Sequence, residues 1–115
     1  MSKPLSYEYS GTKGHIVSVA SSLPSSGNSL LSQGWEEISH PKQAAAGSHT
    51  YKETSTGLRI RYDEPTPGAS GFSGKSHYHI MNPDAHGVHD MYLDKHGNPV
   101  PKNSAASHIL PKEDQ

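Results

Sequence analysis

The chain has 115 residues, a formal net charge of −1 and no cysteine. This length corresponds to one domain, and because only 30% of the residues are hydrophobic its core must be small. The lack of cysteine excludes disulfide frameworks, thiolate metal sites and cysteine nucleophiles. The net charge argues against non-specific coating of nucleic acid. No stretch approaches the roughly 20 apolar residues of a membrane span, so none is predicted.

The first part of the chain, residues 1–26, is polar and rich in serine and glycine. It is predicted to be a linker or a weak edge segment, with one short β-like run at His15–Ala20. The functional domain is predicted over residues 27–115. It opens with a short helix, for which Asn28 or Ser29 is the candidate N-cap. Apolar residues recur near helical spacing before Pro41 ends the helix, namely Leu30, Leu31, Trp35 and Ile38.

Strands are predicted from Ser48 onward, where residues alternate on both sides of a turn containing Gly57. Period-two alternation places Arg59 and Arg61 side by side on the polar face of the second strand. The opposite face carries the apolar residues Leu58, Ile60 and Tyr62. The hairpin therefore presents two guanidinium groups on one side of a sheet.

A connection rich in glycine and proline, residues 64–75, leads to a third predicted strand in SHYHIMNP. Alternation puts His77 and His79 on one face of this strand. Tyr78 and Ile80 lie on the other face. Core packing is the more frequent role for such a tyrosine.

One more short strand is expected over residues 90–94, followed by a turn at residues 96–98. A helix followed by an antiparallel meander defines an α+β domain, with the short N-terminal helix packed on a small antiparallel sheet.

If the second and third strands pair, Arg59 and Arg61 lie beside His77 and His79. Imidazole can accept and donate a proton near neutral pH, and guanidinium stabilises charge on a phosphoryl group. These groups suffice for RNA cleavage without a metal, in which the 2′-hydroxyl attacks the phosphate and the 5′-oxygen leaves protonated. No cofactor is therefore predicted. Residues 40–82 support a small anion site, because they hold five basic and three acidic residues.

A metal site is the alternative interpretation of the histidines. Five potential ligands fall within residues 77–90, namely His77, His79, His86, His89 and Asp90. Imidazole and carboxylate suit zinc, nickel or iron, although these spacings match no motif in which a helix fixes the ligand geometry. The alternative functions are a metal-dependent nuclease, or a module that binds a metal or a protein without turnover. The simplest interpretation is a solvated strand face, because nine histidines in 115 residues make pairs with this spacing frequent by chance.

Three blocks of the sequence resemble the C-terminal toxin domains of polymorphic bacterial toxins, the Rhs-type and contact-dependent inhibition proteins. They are GWEEISHP, GLRIRYDEPTPGASGFSGKSHYHIMNP and YLDKHGNPVPKNSAASHIL, within residues 34–110. The HYH succession and the tail LDKHGNPVPKNSAASHI are the most distinctive segments of this resemblance. Many toxins of this size resemble barnase-like, colicin-type ribonucleases, in which an N-terminal helix packs on a four-stranded antiparallel sheet.

The resemblance implies an endoribonuclease toxin that cleaves RNA, with tRNA as one possible substrate, in competing bacteria. It implies a larger toxin polypeptide upstream, secretion as part of it, and delivery to the cytoplasm of the target cell. It also implies a cognate immunity protein, which we expect to be acidic. The predicted catalytic residues are His77, His79, Arg59 and Arg61, and the predicted substrate-binding residues are Lys52, Lys75, Tyr78 and His108.

Overall fold

The computed structural model describes residues 13–115, in which two short α-helices accompany a sheet of six antiparallel strands. The helices are α1 (Lys13–Ser21) and α2 (Pro41–Ala45). The strands are β1 (Trp35–Glu37), β2 (Ser48–Glu53), β3 (Arg59–Asp63), β4 (His77–Met81), β5 (Tyr92–Leu93) and β6 (Pro99–Val100). Each strand pairs with the next along the chain, so the sheet is a meander. The predicted α+β class is confirmed.

The β2–β3 hairpin turns where the sequence predicted. Gly57 has a φ of 79°, and its amide donates to the Glu53 carbonyl at 2.8 Å. A positive φ favours glycine because it has no Cβ. In the register of the hairpin and of β4, Arg61 lies opposite both Thr50 and His79. The expected pairing of the arginine strand with the histidine strand is therefore confirmed.

The apolar face of the sheet and helix α1 form one core. Leu58, Ile60 and Tyr62 are buried in it, as their alternation predicted. The cluster also contains Ile16, Val19, Ala20, Leu23, Leu30, Trp35, Tyr51, Tyr78, Ile80, Leu93 and Ile109. The core thus leaves the other face of β3 and β4 free for polar side chains.

The β-like interpretation of His15–Ala20 is wrong, because these residues lie within helix α1. Ile16, Val19 and Ala20 are its buried positions, and their spacing of three and four residues is that of one helix face. Isoleucine and valine favoured a strand by composition, but burial against the sheet decided the outcome. Residues 1–12 of the predicted linker lie outside the described residues.

The helix predicted after residue 27 is also wrong. A 3₁₀-helix, Gly27–Ser32, occupies its first part and strand β1 its second. Gly34 separates the two with a φ of 88°, which is incompatible with a continuous right-handed helix. Pro41 begins α2, where a missing amide donor costs nothing because the first turn of a helix has no acceptor for it.

The C-terminal half of the domain follows its prediction in part. The expected strand over residues 90–94 is reduced to the two residues of β5, and β6 was not predicted. The turn at residues 96–98 is present, with Gly97 at a φ of 81° and the Asp94 carboxylate accepting from the amides of His96 and Asn98. Within residues 13–115, no helix has the length and apolar character needed to cross a membrane.

Packing of the 3₁₀-helix on the sheet generates a first prediction. A Cβ on Gly27 would lie 2.6 Å from two ring atoms of buried Tyr62, whereas a Cβ on Gly14 in α1 would meet nothing within 4 Å. Gly27→Ala should lower the free energy of unfolding by about 1–3 kcal/mol through overpacking. Gly14→Ala should not lower it, because alanine favours helix. Urea denaturation of both variants measures this, and equal stability of the two would contradict the close packing of Gly27.

Candidate active site

The polar face of β3 and β4 forms the floor of an open cleft of about 530 Å³. This floor and its β5 edge carry Arg61, Asp63, His77, His79 and Tyr92. The rim carries Phe72 from a short 3₁₀-helix, Gly71–Gly74, and Lys102, Asn103 and His108 from loops. Three histidines and one arginine therefore converge in one cavity.

Asp63 lies at the centre of the polar contacts in the cleft. Its Oδ1 accepts from the Ser48 hydroxyl at 2.9 Å and from Arg61 Nε at 3.1 Å, and its Oδ2 accepts from Arg61 Nη2 at 3.0 Å. The Nε2 atom of His77 lies 3.1 Å from the same Oδ2. Although burial alone raises it, the hydrogen bond from His77 and the charge of Arg61 hold the pKa of Asp63 well below its usual range.

His77 has an acceptor at each ring nitrogen. Nδ1 donates to the Lys75 carbonyl at 3.0 Å, and Nε2 faces the Asp63 carboxylate. An imidazole with acceptors on both sides is best satisfied when both nitrogens carry protons. Although burial alone lowers it, the hydrogen bonds to Asp63 and to the Lys75 carbonyl raise the pKa of His77. The surroundings therefore favour the imidazolium form.

His79, two residues further along β4, has the opposite surroundings. It is 2% exposed, and its Nδ1 has no hydrogen-bond partner among the described residues. Its Nε2 lies 3.7 Å from Asp63 Oδ2, which is too long for a hydrogen bond. Burial, with the positive charge of Arg61, lowers the pKa of His79 to about 3. His79 is therefore neutral at cellular pH.

His108 reaches the cleft through a single backbone bridge. Ile109 exchanges two amide–carbonyl hydrogen bonds of 2.8 Å with Tyr78, beside strand β4. Because Ile109 is buried in the core with Tyr78, alternation turns His108 to the polar face. Its Nδ1 donates to the Ser104 carbonyl at 3.0 Å, a tautomer that leaves Nε2 as a proton acceptor.

The rings of the cleft pack closely on one another. Phe72 stacks on His108 with a centroid distance of 4.3 Å and an interplanar angle of 15°. The ring centroid of His79 lies 4.7 Å from that of His108 and 5.1 Å from that of His77. On the other side of His79, the ring of Tyr92 is 4.8 Å away. This packing fixes the orientation of the imidazoles.

The structure brings together only some of the residues that the sequence predicted for the site. His77, His79, Arg61 and His108 line the cleft. Arg59 is exposed and pairs across the hairpin with Lys52, and neither residue lines the cleft. The two histidines of β4 are buried rather than solvated, at 5% and 2% exposure.

Two predicted substrate-binding residues also lie away from the cleft. Tyr78 has no exposed surface, and its hydroxyl donates to the Pro24 carbonyl at 2.7 Å, so its side chain lies in the core and not in the cleft. Lys75 contributes its backbone carbonyl to His77, while its side chain is exposed outside the lining of the cleft.

The alternative metal cluster of the sequence is not assembled. His86 and His89 are exposed in the loop after β4, and His86 and Asp90 hydrogen bond with each other at 3.3 Å away from the cleft. In the part of the chain that the structure describes, His108 joins His77 and His79 instead, with one ring nitrogen of each within 4.8 Å of the others.

Sequence reasoning missed several residues of the cleft. Asp63 could have been found, because it follows Arg59 and Arg61 at the same period-two spacing and so shares their face. The sequence shows no comparable periodicity around Phe72, Tyr92 and Lys102, which come from a short 3₁₀-helix, from β5 and from a loop.

Comparison of the chain with models of protein families, with curated proteins and with solved structures finds no match. The resemblance to toxin domains therefore stays a prediction, and the function has to be inferred from the geometry of the cleft.

The contrast between the two β4 histidines generates a second prediction. His79→Leu should raise the free energy of unfolding by about 1 kcal/mol, because it removes a buried nitrogen that no described residue hydrogen bonds, at little change in volume. His77→Leu should lower it by about 1–3 kcal/mol, because two hydrogen bonds are lost and Asp63 loses a cation. Urea denaturation at pH 7 separates the two, and a loss of similar size in both variants would show that His79 is satisfied.

Proposed function

We propose that the domain is a metal-independent endoribonuclease that cleaves RNA by transfer of the phosphate to the 2′-hydroxyl. One observation carries this proposal. His77 and His108 line the same cleft with complementary hydrogen bonding, since His77 is arranged as a proton donor and His108 as a proton acceptor. An acid and a base on one cleft are what the two proton transfers of this reaction need.

The roles follow from the protonation that the hydrogen bonds of each ring favour. His108 Nε2 takes the proton of the 2′-hydroxyl, and the 2′-oxygen attacks phosphorus. The bond from phosphorus to the 5′-oxygen breaks, and His77 Nε2 gives its proton to that oxygen. The products are a 2′,3′-cyclic phosphate and a 5′-hydroxyl. We thus assign the base to His108, in place of the His77–His79 pair that the sequence predicted.

His79 is better suited to position its neighbours than to exchange protons. Its ring packs between those of His77, His108 and Tyr92, and it is almost completely buried. A neutral imidazole there keeps a third positive charge out of the space beside His77 and Arg61. We therefore describe His79 as a positioning residue.

Arg61 supplies the positive charge for the phosphate. Three of its nitrogens are already held, two by Asp63 and Nη1 by the Tyr92 hydroxyl at 3.0 Å. A guanidinium has five N–H donors, so two remain for phosphate oxygens on a group that is already oriented. Electrostatic stabilisation by such a preorganised donor is a large term in phosphoryl chemistry.

The charge around the cleft favours a short RNA contact. Its lining contains two permanent cations, Arg61 and Lys102, and two acidic residues, Asp63 and Glu64. Affinity for nucleic acid rises with each phosphate that is neutralised, so this surface can engage only a few. A single-stranded loop, in which the bases are splayed and few phosphates are needed, fits the cleft better than a long duplex.

The biological setting that we propose follows the resemblance of the sequence to polymorphic toxin domains. In that setting a larger polypeptide upstream is secreted and delivers the domain to the cytoplasm of a competing bacterium. A cognate immunity protein protects the producer. An acidic surface on that protein would be complementary to Arg61, Lys102 and the imidazolium of His77.

Cleavage of a synthetic single-stranded RNA tests the proposed pair. His77→Ala and His108→Ala should each lower the rate by about 100- to 10,000-fold, since each removes one proton-transfer group. His89→Ala is the matched control, because His89 is exposed outside the cleft and should leave the rate unchanged. Mass spectrometry should find 2′,3′-cyclic phosphate ends. Cleavage of the corresponding DNA, which lacks the 2′-hydroxyl, would refute the mechanism.

The two arginines of β3 provide a further prediction. Arg61→Lys should lower the cleavage rate by about 100-fold, because lysine keeps the charge but loses the planar fork that Asp63 and Tyr92 orient. Arg59→Lys, two residues away on the same face but outside the cleft, should have a much smaller effect. Rates measured at equal folded fraction decide this. Equal losses in the two variants would indicate a general charge effect.

A further inference from the structure

Three histidines bring potential metal-ligating nitrogens together in the cleft. One ring nitrogen each of His77, His79 and His108 lies within 4.8 Å of the others. The three come from one strand and from the segment bridged to it, so the backbone of the sheet fixes their separation. None of the helical ligand motifs that a sequence search would detect is involved.

The hydrogen bonds behind these rings support the same interpretation. His77 and His108 each donate Nδ1–H to a backbone carbonyl, that of Lys75 and that of Ser104, both at 3.0 Å. Metal-binding histidines usually make this kind of bond with the nitrogen that does not bind the ion, because it fixes the tautomer and the ring orientation. Both rings therefore present Nε2 to the cleft.

A polar atom without a partner lies in the same cluster. His79 Nδ1 is buried and unbonded among the described residues, which costs stability unless something else compensates it. Asp63 adds an oxygen, since its Oδ2 lies 3.1 Å from His77 Nε2. Two ligands of a tetrahedral zinc ion are about 3.4 Å apart, given bonds of about 2.0–2.1 Å.

We infer that His77, His79 and His108 form a site for a divalent transition-metal ion, for which Zn²⁺ is the best match, and that the bound ion inhibits the domain. Imidazole nitrogens with one carboxylate suit zinc, whereas Mg²⁺ requires oxygen ligands. The inhibition rests on the proposed function, while binding does not. The ion would bind the Nε2 lone pair of His108, which has to be free for His108 to act as the base. It would also replace the proton that His77 shares with Asp63.

Isothermal titration of the tag-free chain with ZnCl₂ tests the binding. One ion per chain is expected, with a rise in melting temperature, because the ion binds only the folded site. His108→Ala and His79→Leu should each weaken Zn²⁺ binding by at least about 10-fold. Loss of a residue that only hydrogen bonds to a metal ligand already weakens metal affinity by about that factor. MgCl₂ should give no heat. The double variant His86→Ala/His89→Ala is the matched control and should bind like the wild type.

No Zn²⁺ binding, or binding that is lost in the His86/His89 variant and kept in His108→Ala, would overturn the site.

Activity then tests the inhibition separately. Cleavage of RNA should persist in EDTA and fall over the range of ZnCl₂ concentrations that saturates binding. Cleavage that requires zinc would overturn both the inhibition and the metal-independent mechanism. Tight binding at the three histidines in a chain that cleaves no RNA would support the site and overturn the proposed function instead.

Discussion

Asp63 places one ionised carboxylate where strands β2, β3 and β4 meet. It accepts hydrogen bonds from, or pairs with, one residue of each strand, namely Ser48, Arg61 and His77. Removal of this charge would leave a guanidinium and an imidazolium close together in a partly buried cleft, where repulsion between like charges is poorly screened. The orientation of Arg61 and the protonated form of His77 both depend on it.

Two adjacent histidines of one strand face therefore have opposite properties. His77 is bonded on both sides and favours its charged form, whereas His79 is buried beside Arg61 and stays neutral. Environments that push the pKa values of two titratable groups apart are characteristic of acid–base sites. His79 has the further feature of a buried nitrogen without a partner within residues 13–115, at a position where an apolar side chain would pack without that cost. Retention of a destabilising polar group in a core is typical of functional sites.

The sequence predicted the parts of the fold that depend on alternation within a strand. The hairpin at Gly57 and the buried face of β3 follow from one turn residue and period two, and the meeting of Arg61 with His79 follows once β3 pairs with β4. The segments before β2 did not follow, because Ile16 and Val19 suit a strand by composition and are helical only through tertiary packing. His108 was recognised by its chemistry alone. Its place in the cleft comes from one bridge between Ile109 and Tyr78, which no local pattern encodes.

The same hydrogen bonds make the cleft suitable for both a proton and a metal ion. Nδ1–H bonds to carbonyl groups orient His77 and His108 and present Nε2 in either case. Asp63 holds the proton when no ion is bound, because its carboxylate lies 3.1 Å from His77 Nε2. An ion must displace that proton before it can bind, since a ligand nitrogen has to be deprotonated. On the proposed mechanism, a cluster held in this way transfers protons at low metal concentration, and a bound ion would compete with that reaction.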